Sequence, residues 1–374
     1  GKSHDPAIEL AEKLKEMAPM PVSKVFFGAS GSDANDTQIK LVWYYNNALG
    51  RPKKKKIIAR LKGYHGVTVA SASLTGLPNN HIDFDLPIQN ILHTSCPHHY
   101  RFGMEGETEE EFATRLAHEL EELILKEGPD TVAAFIAEPV GGAGGVIVPP
   151  KGYYEKIQPI LQKYDILFIA DEVITGFGRL GTMFGSSAMN MVPDTMSLAK
   201  AITSAYFPLS AVLVPEKMFE AMIDESKKIG VFGHGFTYSG HPVGTAIGMK
   251  TMEIYQRDNI VGHVQSIIPR FWQHLDALRN HPLVGEVRGK GLVAGLELVA
   301  DKATKKSFEA KQAFGAKVNL FAQEEGLIVR NMGDTIAVCP PLVITEAQID
   351  EMFAKLSRAL DRGEAFARAE KLRG

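Results

Sequence analysis

The chain has 374 residues, of which 45% are hydrophobic and 23% are charged, and its formal net charge is −3. These values are ordinary for a folded protein of about two domains, and they exclude disorder along the whole chain. Nucleic-acid-binding domains usually carry a basic excess, which is missing here. We therefore expect no nucleic-acid partner.

Two cysteines, Cys96 and Cys339, are too few for a disulfide framework or a cysteine metal site. The chain shows neither a signal-peptide pattern nor a stretch of about 18 uncharged apolar residues. We expect a cytoplasmic protein without a metal site or a membrane span. The basic run Lys53–Lys56 follows Gly50 and Pro52, and we predict a solvated loop there.

Helical periodicity alternates with short apolar runs, which is typical of an α/β fold. Strands that are apolar throughout indicate a parallel sheet covered on both faces. In chain order, the pattern predicts helices over residues 8–17, 34–48 and 153–164, and strands over 22–27, 56–60, 132–137, 166–170, 195–198 and 211–214.

The pattern changes after residue 240. It predicts helices over 243–258, 261–280, 310–325 and 346–361, with apolar segments over 292–299, 327–329 and 336–339 between them. We therefore predict a large domain over residues 1–245 and a smaller α+β domain over residues 246–374.

Small residues fill the segment GASGSDAN, residues 28–35, between a predicted strand and a predicted helix. Glycines let the backbone approach a ligand closely, and free N–H groups at a helix start favour an anion. The segment lacks the Gly-Lys-Ser/Thr of a Walker A loop and the GxGxxG fingerprint. It can be a phosphate site or a plain capped turn.

Two side chains of chemical interest follow apolar strands. Asp171 ends the strand over 166–170, at the edge where ligands bind in open α/β sheets. Lys200 follows the strand over 195–198, and an amine nucleophile there needs burial or a nearby cation to lower its pKa. Alone, Asp171 can be a turn cap and Lys200 a surface lysine.

Together, these features can hold a phosphate, protonate a pyridine and form an imine, which is what pyridoxal 5′-phosphate requires of a protein. Tyr64, in the sequence GYHG, can stack on a ring, and Thr237, in GFTY, can donate to a phosphate.

Seven segments carry a resemblance to a known family: SGSDANDTQIKL, YHGVTVASASLTG, CPHHYR, AEPVGGAGGV, FIADEVITGFGRLG, LAKAITSAYFPLSAV and FTYSGHPVG. From about Pro6 to Asp361 the chain resembles class III aminotransferases of pyridoxal-phosphate fold type I, and most of all the ω-amino acid and amine:pyruvate transaminases. The resemblance implies a mainly parallel seven-stranded sheet in the large domain. It also implies a homodimer, or a tetramer, whose subunits share active sites.

The resemblance assigns roles to matching residues. Lys200 would bind the cofactor and move the proton between it and the substrate, while Asp171 would keep the pyridine nitrogen protonated. Thr237 would reach the cofactor phosphate in the partner subunit. The other implied cofactor contacts are the phosphate-binding Gly31 and Ser32, Tyr64 and Val173 on opposite ring faces, Glu138 on the Asp171 side, and His65 beside the stacking tyrosine.

The substrate pocket is less completely specified. Arg330 matches a mobile arginine that can pair with a substrate carboxylate. Ala143 stands where 2-oxoglutarate-linked members commonly carry Glu, which favours pyruvate as acceptor. Asp33 replaces a usual Glu, and Gly141 replaces a frequent Met. The resemblance also implies a segment ahead of Pro6 that helps to line the pocket, and we expect this sequence to be shortened there.

Other functions stay open on these residues. An aminomutase or racemase would use the same cofactor set without a keto-acid acceptor, and a 2-oxoglutarate-linked aminotransferase would differ in its acceptor. A Rossmann-like nucleotide binder would leave Lys200 and Asp171 unexplained, and both residues argue against a silent relative.

Overall fold

The computed structural model describes residues 2–373, which form two compact units. The first unit extends to Asn259, apart from residues 143–148 and 178–181, which belong with the second unit. The second unit continues from Ile260. These units are defined by compactness alone, so the domain boundary predicted after residue 245 stays a prediction.

A seven-stranded sheet forms the centre of the first unit. Its strands are β1 Lys24–Gly28, β2 Lys56–Arg60, β3 Ile91–Thr94, β4 Val132–Ala137, β5 Leu167–Asp171, β6 Thr195–Leu198 and β7 Ser210–Val214. Their order is β1-β7-β6-β5-β4-β2-β3. Strand β7 is antiparallel to both β1 and β6, and the other neighbours are parallel. The predicted mainly parallel seven-stranded sheet is confirmed.

Helices cover this sheet: α1 Asp5–Met17, α2 Gly31–Ala48, α3 Val69–Leu74, α4 His99–Phe102, α5 Glu109–Glu127, α6 Tyr153–Lys163, α7 Gly185–Ala188, α8 Glu216–Ile229 and α9 Pro242–Arg257. Every residue of β4 is buried, as expected of a central strand with helices on both faces. Helix α2 places Ile39, Leu41 and Val42 in the same apolar core as Ile136 of β4. Ala34, in the first turn of α2, belongs to the same core, so the start of the helix is held against the sheet.

The parallel strands bring their carboxyl ends to one edge of the sheet. Asp171 is the last residue of β5 and pairs with Ser197 of β6, three residues before Lys200. The loops after β2 and β4, which carry residues 61–66 and 138–142, start from the same edge. Sequence-distant polar residues are therefore collected at one place.

The second unit contains helices α10 Ile260–Leu278, α11 Phe314–Glu324 and α12 Glu346–Ala369. Strands β8 Val284–Lys290, β9 Val293–Leu298, β10 Arg330–Met332 and β11 Thr335–Val338 form an antiparallel sheet in the order β10-β11-β9-β8. Packing of Phe321 and Ala322 of α11 against Ala359 of α12 supports this sheet with a small core. Among residues 2–373, no helix is long and apolar enough to cross a bilayer.

The basic run differs from its prediction. Lys56 belongs to β2, and Lys54 is buried and donates its ammonium hydrogen bond to the carbonyl of Tyr164 at 2.9 Å. Burial lowers the pKa of Lys54. The prediction of a solvated loop is therefore wrong, because Lys54 is buried and hydrogen-bonded and Lys56 is part of a strand.

Candidate active site

A cavity of about 90 Å³ opens at the carboxyl edge of the sheet in the first unit. Its lining contains eight of the ten predicted site residues. The full lining is Gly31, Ser32, Asn35, Tyr64, His65, Gly66, Glu138, Asp171, Val173, Ile174 and Lys200.

The start of helix α2 forms one wall. Ser30 is the N-cap residue, and its hydroxyl accepts a hydrogen bond from the N–H of Asp33 while the Asp33 carboxylate accepts from the N–H of Ser30. This capping box fixes Gly31 and Ser32 as the first helical residues, where backbone N–H groups lack intrahelical acceptors. The wall is therefore suited to an anion.

Ser32 ties this wall to the loop after β2. Its hydroxyl oxygen accepts a hydrogen bond from the N–H of Val67 at 3.1 Å. Gly66 has a φ of +136°, and a Cβ there would lie 2.6 Å from the hydroxyl oxygen of Ser32 and 2.3 Å from that of Ser71. Only glycine leaves room for this approach of the two segments.

Asp171 is buried at the floor of the cavity. Its Oδ2 accepts hydrogen bonds of 2.8 Å from the Nδ2 of Asn35 and from the Nδ1 of His65. Its Oδ1 accepts from the N–H of Val173 at 3.1 Å, so the carboxylate also shapes the following turn. Three donors therefore fix the orientation of the carboxylate.

Glu138 is the second buried carboxyl of the site. It accepts hydrogen bonds from the N–H of Tyr64 at 3.0 Å and from the N–H of Gly142 at 2.8 Å. Burial raises the pKa of Glu138, and the neighbouring Asp171 raises it further while His65 lowers it. The carboxyl groups of Glu138 and Asp171 thus lie in one buried region together with the imidazole of His65.

Lys200 opens the short 3₁₀ helix Lys200–Ile202 directly after β6. Its backbone is left-handed, with a φ of +47°, and its side chain is exposed at the cavity. The neighbouring Ala199 and Ile202 are buried and hold the turn in place. An amine and a carboxylate from adjacent strands are thereby presented to one cavity.

Apolar side chains complete the walls. Val173 packs closely against Gly31 of α2. A Cβ at Gly31 would lie only 3.1 Å from each methyl group of Val173. Tyr64 is half-buried on the loop after β2. Ile174 closes the cavity beside Gly142.

Two predicted site residues lie outside this lining. Thr237 is exposed in a turn of the segment between α8 and α9. Arg330 is an exposed residue at the start of β10 in the second unit. Their predicted roles, at the cofactor of a partner subunit and at a substrate carboxylate, stay predictions.

The profile of the family described as "Aminotransferase class-III" matches residues 1–360. The chain belongs to the class III aminotransferases. Gamma-aminobutyrate transaminase 1, mitochondrial, from Oryza sativa subsp. indica is 55% identical to it over 360 residues, which cover 96% of this chain and 70% of the relative.

Solved structures give the same result. The ω-transaminase from Pseudomonas jessenii in complex with PMP is 54% identical, has a TM-score of 0.96 and is matched over 98% of this chain and 81% of that chain. A transaminase solved with L-alanine is 56% identical, with a TM-score of 0.96 and coverage of 97% and 86%. The aminotransferase fold and family are thus established together.

Class III aminotransferases depend on pyridoxal 5′-phosphate, and the residues of this aminotransferase fit that group. Among residues 2–373, the Oδ1 of Asn35 and the Nε2 of His65 are buried polar atoms without a hydrogen-bond partner. Such atoms are rare in native proteins and suggest that a polar ligand or water completes the site. The donor-rich start of α2, the carboxyl group of Asp171 and the amine of Lys200 match its phosphate, ring nitrogen and aldehyde in chemical type.

The sequence did not single out Asn35, Gly66 or Ile174. Asn35 lies one turn after Gly31 and is buried, but nothing local in the sequence sets its amide apart, because its acceptors lie on other segments. Gly66 follows the predicted Tyr64 and His65 directly, and its left-handed φ explains why glycine is needed.

Proposed function

We propose that this aminotransferase moves an amino group from an ω-amino acid or a primary amine to pyruvate, giving alanine, in two successive half-reactions. The observation that carries the proposal is the convergence of Lys200, Asp171 and the start of α2 on one cavity. The bound cofactor supplies the electron-withdrawing ring that makes the substrate Cα–H acidic. The ketone or aldehyde product leaves before pyruvate enters.

Lys200 is the catalytic base in this proposal. Its Nζ takes the proton from the Cα of the donor and returns a proton in the second half-reaction, acting in turn as base and acid. The Asp171 carboxylate is held in one orientation, since Asn35, His65 and Val173 all donate to it. A fixed negative charge at this position stabilises a protonated ring nitrogen.

The remaining residues bind and orient. Gly31 and Ser32 would hold the phosphate, Tyr64 and Val173 would contact the ring, and Glu138 and His65 would support the Asp171 side of the cavity that these residues line. Thr237 binds the phosphate in the partner subunit of a homodimer or tetramer, which suits its exposure in a single chain. Arg330 pairs with the carboxylate of pyruvate and turns away from an apolar amine.

The choice of substrates is supported by likeness and by Ala143. Relatives named gamma-aminobutyrate transaminases point to an ω-amino acid donor, and a relative solved with L-alanine points to the alanine–pyruvate pair. Ala143 supplies no charge for the second carboxylate of 2-oxoglutarate. The relatives include a protein named as mitochondrial. The small number of cysteines suits a reducing compartment, and the location that we propose is the cytoplasm.

Steady-state kinetics of the cofactor-loaded protein test this function. With γ-aminobutyrate or 1-phenylethylamine as donor, we expect alanine to form from pyruvate, with parallel double-reciprocal plots and little glutamate from 2-oxoglutarate. Preference for 2-oxoglutarate would overturn the assignment of pyruvate as the acceptor. Conversion of the donor without any keto acid would instead establish the aminomutase or racemase.

A further inference from the structure

His234 lies in the segment between α8 and α9 and is bonded to α2, far away in sequence. Its Nε2 lies 2.8 Å from the hydroxyl oxygen of Thr37, and its Nδ1 lies 3.0 Å from the ammonium nitrogen of Lys40. Both partners stand on α2, the helix whose first residues form the phosphate wall of the cavity.

The hydrogen-bond directions fix the state of the imidazole. The hydroxyl of Thr37 donates to the carbonyl of Asp33 at 2.7 Å, so its oxygen accepts from the Nε2–H of His234. An ammonium group can only donate, so the Nδ1 of His234 accepts from Lys40. The ring is therefore neutral with its proton on Nε2, and burial together with the charge of Lys40 lowers the pKa of His234.

Aromatic rings enclose the same imidazole. Phe26 of β1 stacks on it with a centroid distance of 5.1 Å and an interplanar angle of 11°. Phe232 and Phe236, from its own segment, make edge contacts at 6.1 and 5.2 Å. The imidazole thus joins the segment to the sheet by packing and to α2 by hydrogen bonds, which specify a single placement.

Thr237 lies three residues after His234. Among the described contacts of the first unit, no hydrogen bond of its own holds Thr237 in place. We propose that His234 is a positioning residue, which fixes the segment 231–239 on α2 and thereby sets the place of Thr237. The inference rests on the proposed function for the link from Thr237 to the phosphate, but the fixing of the segment is independent of it. One helix then positions phosphate donors for its own site and for a second site.

Four variants separate packing from hydrogen bonding. His234→Phe keeps a stacked ring and loses both hydrogen bonds. His234→Gln keeps an amide donor for Thr37, and Thr37→Val removes the acceptor with little change in volume. His118→Phe, at an exposed histidine of α5, is the control.

Hydrogen exchange of the cofactor-free protein is the first measurement. We expect His234→Phe and Thr37→Val to increase exchange within residues 231–239 by about tenfold, with other segments unchanged. His234→Gln restores much of the protection, which a general loss of packing would not allow. Unchanged exchange in His234→Phe would overturn the proposal.

Cofactor titration of the same proteins is the second measurement. We expect His234→Phe to raise the Kd for pyridoxal 5′-phosphate about as much as Thr237→Ala does, and the double variant to add little more. If Thr237→Ala raises the Kd while His234→Phe does not, the positioning role is wrong. If exchange responds but Thr237→Ala leaves the Kd unchanged, the segment is fixed as proposed and the phosphate role of Thr237 fails.

Discussion

Asn35 of α2 donates a hydrogen bond of 2.8 Å to Asp171 at the end of β5, across 136 positions of sequence. The same amide group donates to the carbonyl of His65 at 2.7 Å. One side chain thus joins the helix whose start is proposed to hold the phosphate, the loop that carries Tyr64, and the carboxylate proposed for the ring nitrogen.

Asn35→Ala should weaken both fold and cofactor binding. Loss of a buried donor leaves two acceptors less well satisfied, so we expect the free energy of unfolding to fall by about 1–3 kcal/mol. Asn46→Ala is a matched control, since Asn46 is also buried on α2 and donates only to a helical carbonyl. Urea unfolding and cofactor titration check this: both variants lose stability, but only Asn35→Ala raises the Kd. Equal Kd values would contradict the structural link.

Lys200→Ala should abolish turnover without unfolding the protein. Loss of the proposed base for the Cα proton should lower the rate constant of the donor half-reaction by at least about 10³-fold. Lys62→Ala is the control, because Lys62 is likewise an exposed lysine with a left-handed φ. Single-turnover kinetics with donor alone measure the effect. Comparable rates for the two variants would remove Lys200 from the mechanism.

Gly66→Ala should displace the start of α2, which is the wall proposed to hold the phosphate. The added Cβ meets the hydroxyl oxygens of Ser71 and Ser32 at 2.3 and 2.6 Å, in addition to the strain of the positive φ. Gly106→Ala has a positive φ of 77° with open space around it, so it reports strain alone, about 1 kcal/mol. We expect a larger stability loss and weaker cofactor binding only for Gly66→Ala, in thermal unfolding and cofactor titration. A Gly66→Ala protein that binds the cofactor normally would show that the wall is not the phosphate site.

Glu138 should make the cofactor-free protein less stable as the pH rises. Burial raises the pKa of Glu138 above its ordinary value of 4.5, so the unfolded state ionises first. The stabilisation is fully present below pH 4.5 and is lost as the pH passes through the raised pKa. Unfolding of Glu138→Gln between pH 4 and 8 tests this: its free energy of unfolding should rise relative to the natural protein across that range. The same substitution at an exposed residue, Glu216→Gln, is the control, and a flat difference for Glu138→Gln would contradict the reasoning.

The order of elements and much of the site were predictable because they rest on local patterns. Fully apolar runs predicted β4 and β5 closely, and the polar residues that follow apolar strands predicted Asp171 and Lys200. Parallel topology then required these residues to meet at one edge. The family resemblance supplied the roles.

Properties that depend on distant partners were not predictable. Lys54 looked solvated, yet it is buried because Tyr164 offers a carbonyl from another helix end. Helix α2 begins at Gly31 instead of residue 34, since the capping box of Ser30 and Asp33 extends it by three residues that read as a loop. Asn35 has no local signal that distinguishes it from a solvent-facing amide, because its acceptors come from two other segments.

The left-handed backbone of Lys200 has a consequence for how this chain can evolve. A non-glycine residue in that conformation costs about 1–2 kcal/mol, and Ser204 and Ala205 nearby bear the same kind of strain. Replacement of the lysine by glycine would relieve this strain and would remove the amine proposed as the catalytic base in a single step. A substitution that relaxes the backbone at this position therefore cannot also keep the proposed catalytic base.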